Sequence, residues 1–212
     1  MNYLDIINKC LIELNYKPVE AFSELIKNEH KKIKNIINVL NSEVCSSARW
    51  NFLQRKKTVI LPQNTGELEN TINGRIEMIL VDGTKFEYFS DFEKFFTNSQ
   101  PINTYSFYDD KILFPIFNQP KNVEIYYYTN CFVKDADENE KQNLENATDE
   151  TLIPDIFAEP VLVYGTCMRL KGNPQHIRFN YWLSMYKDAL SNMRSRISSS
   201  MDDAPEVKLH RR

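Results

Sequence analysis

Few residues of this chain have the type and spacing to do chemistry. The three histidines, His30, His176 and His210, are isolated and share no ligand spacing. The four cysteines, Cys10, Cys45, Cys131 and Cys167, lie far apart with no close pair. That argues against a zinc knot and a disulfide scaffold and fits a reducing compartment. The run D-A-D-E-N-E from Asp135 imitates the start of a calcium loop. It fails at the sixth position, Glu140 instead of Gly, and at the twelfth, Asn146 instead of Glu. No glycine-rich phosphate loop and no Gly-x-Ser-x-Gly elbow is present. Carboxylates are plentiful, so a glycosidase-type pair stays open on sequence alone, but none sits in an apolar run that would raise its pKa. Catalytic residues, metal ligands and cofactors are therefore all expected to be absent.

The elements follow from hydrophobic period. Leu4, Ile7, Leu11 and Leu14 form one helical stripe, ended by Asn15-Tyr16-Lys17-Pro18, since the residue before a proline leaves the helical region. A long helix follows from about Ser23, with Ile26, His30, Ile33, Ile37, Leu40, Val44 and Ala48 on one face. After Trp50 the period switches to two, through Phe52, Thr58, Ile60 and Pro62. Trp50 therefore reads as a structural joint between a helical layer and a sheet. QNTGELENTING reads as a polar loop, and Asp82-Gly83 and Asp109-Asp110 as hairpin turns. The strands between them favour an antiparallel sheet. Phe92, Phe95 and Phe96 fit either a helical turn or a loop cover. Tyr126-Tyr127-Tyr128 puts aromatics on both faces of a strand, to be covered by the fold or by a neighbouring subunit.

Residues 134–150 are acidic and nearly free of large apolar groups, and read as a solvated loop that does not support the core. A helix is expected from Asp155 to about Leu170, stopped by Gly172-Asn173-Pro174. A last helix over about 175–197 carries Phe179, Trp182, Tyr186, Leu190, Met193 and Ile197. Beyond it, Val207 and Leu209 share one parity beside Lys208, His210, Arg211 and Arg212. That is the pattern of an extended segment that docks on a partner's acidic groove. The fold class expected is α+β. Residues 1–50 and 151–197 make an antiparallel helical bundle, 51–133 an inserted antiparallel β-rich lobe, 134–150 the acidic loop and 198–212 an extended tail.

At 212 residues and formal net charge -3, the chain supports one structural domain with a mild acidic balance. Such a balance counts against gripping nucleic acid by its phosphates, though not against a wall past which DNA slides. No apolar stretch approaches membrane-spanning length. MNYLDIINK shows no basic region followed by an apolar run, so no secretion signal is expected.

The order of these parts resembles one family. A short helix, a Pro-Val elbow, a long helix and then A-R-W-N-F…V-I-L-P is similar to the tail tubular protein A family, the head-to-tail adaptors of short-tailed phages. LIPDIFAEPVLVYGTCMRLKGNPQ and FNYWLSMYKDALSNMRSR resemble that family's entry into a small-residue helix and its closing helix. The resemblance covers both ends, and the middle only in being β-rich. It implies a structural protein of the virion neck, assembled in the host cytoplasm. It also implies a homo-oligomeric, dodecameric ring clamped between the portal protein and the next tail component. DNA would pass through the lumen without specific binding, and no membrane would take part. On this reading Val207, Lys208, Leu209, Arg211 and Arg212 dock on the portal or an adjacent subunit. The alternatives are an α+β interaction module outside phages and, from a different class, a cell-wall lytic enzyme.

Overall fold

The structure is a computed structural model that describes residues 1–197. It divides into two compact units. One joins Met1–Leu53 to the chain from Cys131 onward, and the other is Gln54–Asn130.

In the first unit, helix α1 (Tyr3–Glu13) starts at Asn2, whose side-chain oxygen accepts the Asp5 N–H at 2.8 Å. It buries Tyr3, Ile6, Ile7, Cys10 and Leu11, and the chain turns off at Asn15 with φ +60°. Helix α2 (Asn28–Ser46) starts later than the sequence predicts. Phe22–Glu24 forms a separate 3-10 turn, closed by the Glu24 carboxylate on the Ala21 N–H. Ile26 consequently leaves the predicted stripe and stands 74% exposed. The rest of that stripe, from His30 to Val44, is buried.

The helix predicted from Asp155 is present but interrupted. It runs as α4 (Asp155–Ala158), a π-helical turn (Glu159–Tyr164) and α5 (Gly165–Lys171), where Gly172 caps it at φ +35°. Pro160 lacks the N–H that an α-helical ladder needs, and it sits inside the π turn. At Gly165 a Cβ would meet Leu40 Cδ2 at 2.5 Å and Tyr186 Cδ2 at 3.0 Å. A glycine is what lets α5 lie this close both to α2 and to the last helix, α6 (Phe179–Ile197). Helix α6 buries Trp182, Ala189 and Met193.

The second unit is one large sheet. Its strands are β1 (Gln54–Leu61), β2 (Glu67–Glu69), β3 (Gly74–Val81), β4 (Thr84–Tyr88), β5 (Thr104–Tyr108), β6 (Lys111–Leu113) and β7 (Lys121–Thr129). They pair in the order β1-β7-β3-β4-β5-β6-β2. The two end strands share one core: Leu61 of β1 and Leu68 of β2 both belong to the cluster built on Ile79, Phe86, Ile112, Phe114, Val123 and Ile125. The Lys57 ammonium donates to Thr71 Oγ1 at 2.6 Å, so the two ends of the sheet come close to closure.

The predicted architecture, an antiparallel helical bundle carrying an inserted antiparallel lobe, is therefore corrected. The fold is α+β, but its sheet is a seven-stranded, nearly closed layer in its own right. It is also mixed, because β4 and β5 pair in parallel, Glu87 with Thr104 and Tyr88 with Tyr105. The chain between them, with short helix α3 (Glu93–Phe96), is long enough for the crossover a parallel pair needs. The polar run read as a loop hides β2, too short to show a period. Nor is the helical unit a pure bundle. It holds a second sheet of β8 (Val133–Lys134), β9 (Glu140–Lys141) and β10 (Glu150–Thr151), in the order β10-β8-β9.

Candidate interaction surfaces

The residues with catalytic or metal-binding chemistry are scattered. His30 is buried on α2 and its Nδ1 has no hydrogen-bond partner among the described residues. His176 stacks on Trp182 with ring centroids 5.2 Å apart. No group of three or more His, Cys, Asp or Glu among the described residues could hold a metal ion. Cys10 and Cys167 lie together in the core, Cys167 Sγ donating to the Cys10 carbonyl at 3.8 Å and Cys10 Sγ to the Val163 carbonyl at 3.9 Å. Burial, and then the neighbouring Cys167 thiol, push the Cys10 thiol well up, so it stays protonated and unreactive.

The calcium-like run is engaged with itself. Asp135 Oδ1 accepts the N–H groups of Asp137 and Asn139, both at 2.9 Å. The Asn139 bond holds that carboxyl below its usual range.

The acidic segment 134–150 is not the solvated excursion that its composition predicts. The Asn38 side chain on α2 pairs with the backbone of Leu144, accepting its N–H at 2.8 Å and donating to its carbonyl at 3.0 Å. Leu144 is buried. Asn41 donates to the Phe132 carbonyl at 3.4 Å and accepts from Thr151 Oγ1 at 2.7 Å. Asp149 is buried, with the Lys141 ammonium at 2.7 Å and the Glu145 and Asn146 N–H groups each at 2.6 Å. Burial pushes its carboxyl up, but Lys141 and the two backbone donors outweigh burial, and it lies below its usual range. Composition could not reveal this, because apart from Leu144 the anchors are polar side chains that bond to backbone or, as Lys141 with Asp149 and Thr151 with Asn41, to one another.

Trp50 is fully buried in the helical unit. Its Nε1 donates to the Val44 carbonyl at 2.7 Å, and its ring stacks on Phe52 at 5.9 Å. Val44 lies in the last turn of α2 and its carbonyl also accepts from the Ser47 N–H and Oγ, so Trp50 joins Ser47 in closing that helix end while filling the core. The residues predicted to dock a partner, Val207, Lys208, Leu209, Arg211 and Arg212, lie outside the described residues.

The tyrosine run divides by parity. Tyr127 packs against the sheet core. Tyr126 lies under the Lys56 ammonium at 5.4 Å, and Gln54 donates to the Tyr128 hydroxyl at 2.9 Å. A cleft of about 380 Å³ opens there, lined by Gln54, Arg55, Glu77, Met78, Lys85 and the three tyrosines.

Two surfaces stand out by unburied apolar area. In the sheet unit, Phe92 stacks on Tyr108 at 4.9 Å, and Phe96 meets the same ring edge-on at 5.4 Å. Phe95 turns inward to Phe89, which resolves the ambiguity of this stretch. Phe96, Tyr88 and Ile102 remain 56%, 58% and 89% exposed. In the helical unit, the end of α1 meets the chain leading into α6, where Arg178 donates to the Glu13 carbonyl at 2.7 Å. Around that contact Tyr16, Ile177 and Tyr181 are exposed. Sequence period could not identify either surface, since it marks aromatic spacing and not which ring faces water. No protein-family model matches the sequence, and no curated protein matches it.

Proposed function

We propose that this chain is a structural head-to-tail adaptor of a short-tailed phage. It assembles in the host cytoplasm into a dodecameric ring of the virion neck, held between the portal protein and the next tail component. Its work is mechanical: the ring prolongs the DNA channel and offers the tail a docking face, and no substrate is turned over. The observation that carries the reading is the aromatic cluster of the sheet unit, where Phe92 and Phe96 pack on Tyr108 while Phe96 and Tyr108 stay 56% and 48% exposed. Rings left half-exposed in this way suit a surface that meets another macromolecule. The order of motifs in the sequence, which resembles that of the adaptor family, supports the reading, and the mild acidic balance suits a wall that lets DNA slide.

The test is mass photometry of the full-length chain, alone and mixed with the portal protein encoded beside it. The expected result is a discrete ring bound to portal. A chain that stays monomeric and ignores portal is an interaction module of another kind, and cell-wall clearing in a zymogram would make it an enzyme. Deleting 198–212 is expected to weaken portal attachment in a salt-sensitive way while leaving the folded body intact.

A further inference from the structure

The geometry points to the tyrosine cleft of the sheet unit as a binding face for single-stranded nucleic acid, with bases stacked on Tyr126 and Tyr128 and phosphates on Arg75 and Lys85. Strand parity builds the face. Val59, Val123, Ile125, Ile79, Val81 and Phe86 point into the core of the unit, so the residues alternating with them point the other way. On β3 the bulge between Ile76 and Met78 resets the parity, and Met78 comes to lie beside Tyr126 instead of in the core.

The register sets three rows of this face side by side. Gln54, Tyr128 and Arg75 form the first, and Lys56, Tyr126 and Met78 the second. Thr58, Glu124, Leu80 and Lys85 form the third. Each tyrosine is held by its hydroxyl: that of Tyr126 donates to Glu124 at 3.1 Å, and that of Tyr128 accepts from Gln54 at 2.9 Å. The Lys56 ammonium lies over the Tyr126 ring, 5.4 Å from its centre, and pairs with Glu124 at 3.0 Å. Both rings are half-buried, while Gln54, Arg75 and Lys85 at the rim are exposed. The cleft lined by Gln54, Met78, Lys85 and the tyrosines, about 380 Å³, is of the size that small ligands and single bases occupy.

The whole chain carries a formal net charge of -3, but this face has the opposite sign. Arg55, Lys56, Arg75 and Lys85 outnumber Glu77 and Glu124, and Glu124 is already paired with Lys56. Arg75 and Lys85 make no ion pair among the described residues. Pre-positioned rings flanked by cations on an open sheet take bases by their faces and the backbone by its charge. The two tyrosines stand two residues apart on β7, about 7 Å along the strand, so successive bases can use both. A free nucleotide would use one ring. A duplex keeps its base faces stacked inside and can use neither. An acidic peptide would use the cations and have no need of the rings. The inference goes beyond the adaptor reading and does not rest on it.

The test is fluorescence anisotropy of a labelled oligothymidylate of about 12 nucleotides with the full-length chain at graded salt. The strand is expected to bind, with log affinity falling against log salt at a slope of about -1.4, two phosphate contacts at about -0.7 each. Tyr126→Leu with Tyr128→Leu removes the stacking and should weaken binding about tenfold or more at an unchanged slope. Tyr126→Phe with Tyr128→Phe keeps the rings and should bind as the wild type does. Arg75→Glu with Lys85→Glu should weaken binding about tenfold or more and flatten the slope. No binding up to about 100 μM protein overturns the inference. So does a duplex of the same length bound as tightly, a leucine pair that binds like the wild type, or polyglutamate that displaces the strand as well as unlabelled strand does. A chain that forms rings on portal but binds no strand leaves the adaptor reading standing and sinks only this one.

Should the leucine pair misfold, the unaltered chain gives an independent measurement. An oligonucleotide carrying 5-bromouracil, irradiated in the complex and mapped by mass spectrometry, is expected to attach at Tyr126, Tyr128 or Met78. Adducts confined to other segments would defeat the proposal.

Discussion

The two units are stabilised by different means. The sheet unit rests on an apolar cluster shared by the end strands of a nearly closed sheet, and its surplus of aromatic rings spills onto the surface. The helical unit also has an apolar core, but polar side chains tie its least apolar segment to that core. Asn38 and Asn41 on α2 bond to the backbone at Leu144 and Phe132, and Asp149 gathers three donors in a buried position. A region built by area tolerates loss of a single polar atom. A region tied together by buried polar bonds does not, because the partner left behind stays buried and unpaired.

Trp50 combines both modes and should give the largest effect. Trp50→Ala removes a fully buried indole and should destabilise by about 3–5 kcal/mol in denaturant unfolding. Trp50→Phe keeps most of the apolar area and removes one donor from the Val44 carbonyl, which keeps those of Ser47, so about 1 kcal/mol of that total should persist. A Phe variant as stable as the wild type would mean that the helix-end bond contributes nothing and that Trp50 acts by area alone.

Asp149 tests the polar mode directly. Asp149→Asn retains the shape and loses the charge opposite Lys141, and should cost about 1.5–3 kcal/mol. Because the folded carboxyl titrates below the unfolded value of about 3.9, its contribution is fully present above that value. It is lost as pH falls through the folded pKa. Unfolding stability of the wild type should therefore drop between about pH 5 and pH 2 more steeply than that of Asp149→Asn. Parallel acid profiles would remove Asp149 from the set of anchors. Replacing 134–150 by a Gly-Ser linker should also lower the thermal midpoint, since Leu144 and Asp149 leave with it.

The same contrast explains what was legible in the sequence. Stripes such as Ile33-Ile37-Leu40-Val44 appear as helices because burial by area leaves a period. So do β1, β3 and β7, each with a periodic run of eight or nine residues. Glu67–Glu69 and the two-residue strands β8 to β10 are too short for any period, so the extent of both sheets was hidden. The parallel β4–β5 pair was hidden too, because a turn sequence encodes a hairpin but a crossover encodes nothing local. The acidic segment misled for a different reason. Composition measures how much apolar area a segment can bury, and this one is anchored by backbone hydrogen bonds from asparagine side chains on another element. Of the candidate surfaces, sequence showed which rings were present and not which of them face water.

Gly165 sharpens the area mode inside the helical unit. Gly165→Ala places a methyl 2.5 Å from Leu40 Cδ2, and the helices must separate or the leucine must change rotamer. The helix-propensity gain of about 1 kcal/mol from Gly to Ala works against that strain. Overpacking of this kind costs about 1–3 kcal/mol, so a net loss is expected by thermal unfolding. A net gain would show that Leu40 and Tyr186 yield more readily than their closeness to Gly165 implies.

The smallest effect on the isolated fold should come from the two most exposed isoleucines, one in each unit. Ile102 and Ile177 are 89% and 95% exposed, so folding buries almost none of their area. Ile102→Ser and Ile177→Ser should each change unfolding free energy by less than about 0.5 kcal/mol when the protein is dilute. Their cost should appear only as the concentration is raised. If these side chains lie in contacts between copies of the ring, association stabilises the native state by mass action, and the wild-type midpoint climbs with protein concentration. A serine variant in such a contact should lose part of that climb while matching the wild type at the dilute end. A midpoint independent of concentration in all three proteins would separate these residues from self-association, leaving them as ordinary exposed apolar side chains. A variant already unstable when dilute would show that its surface is part of its unit's own packing.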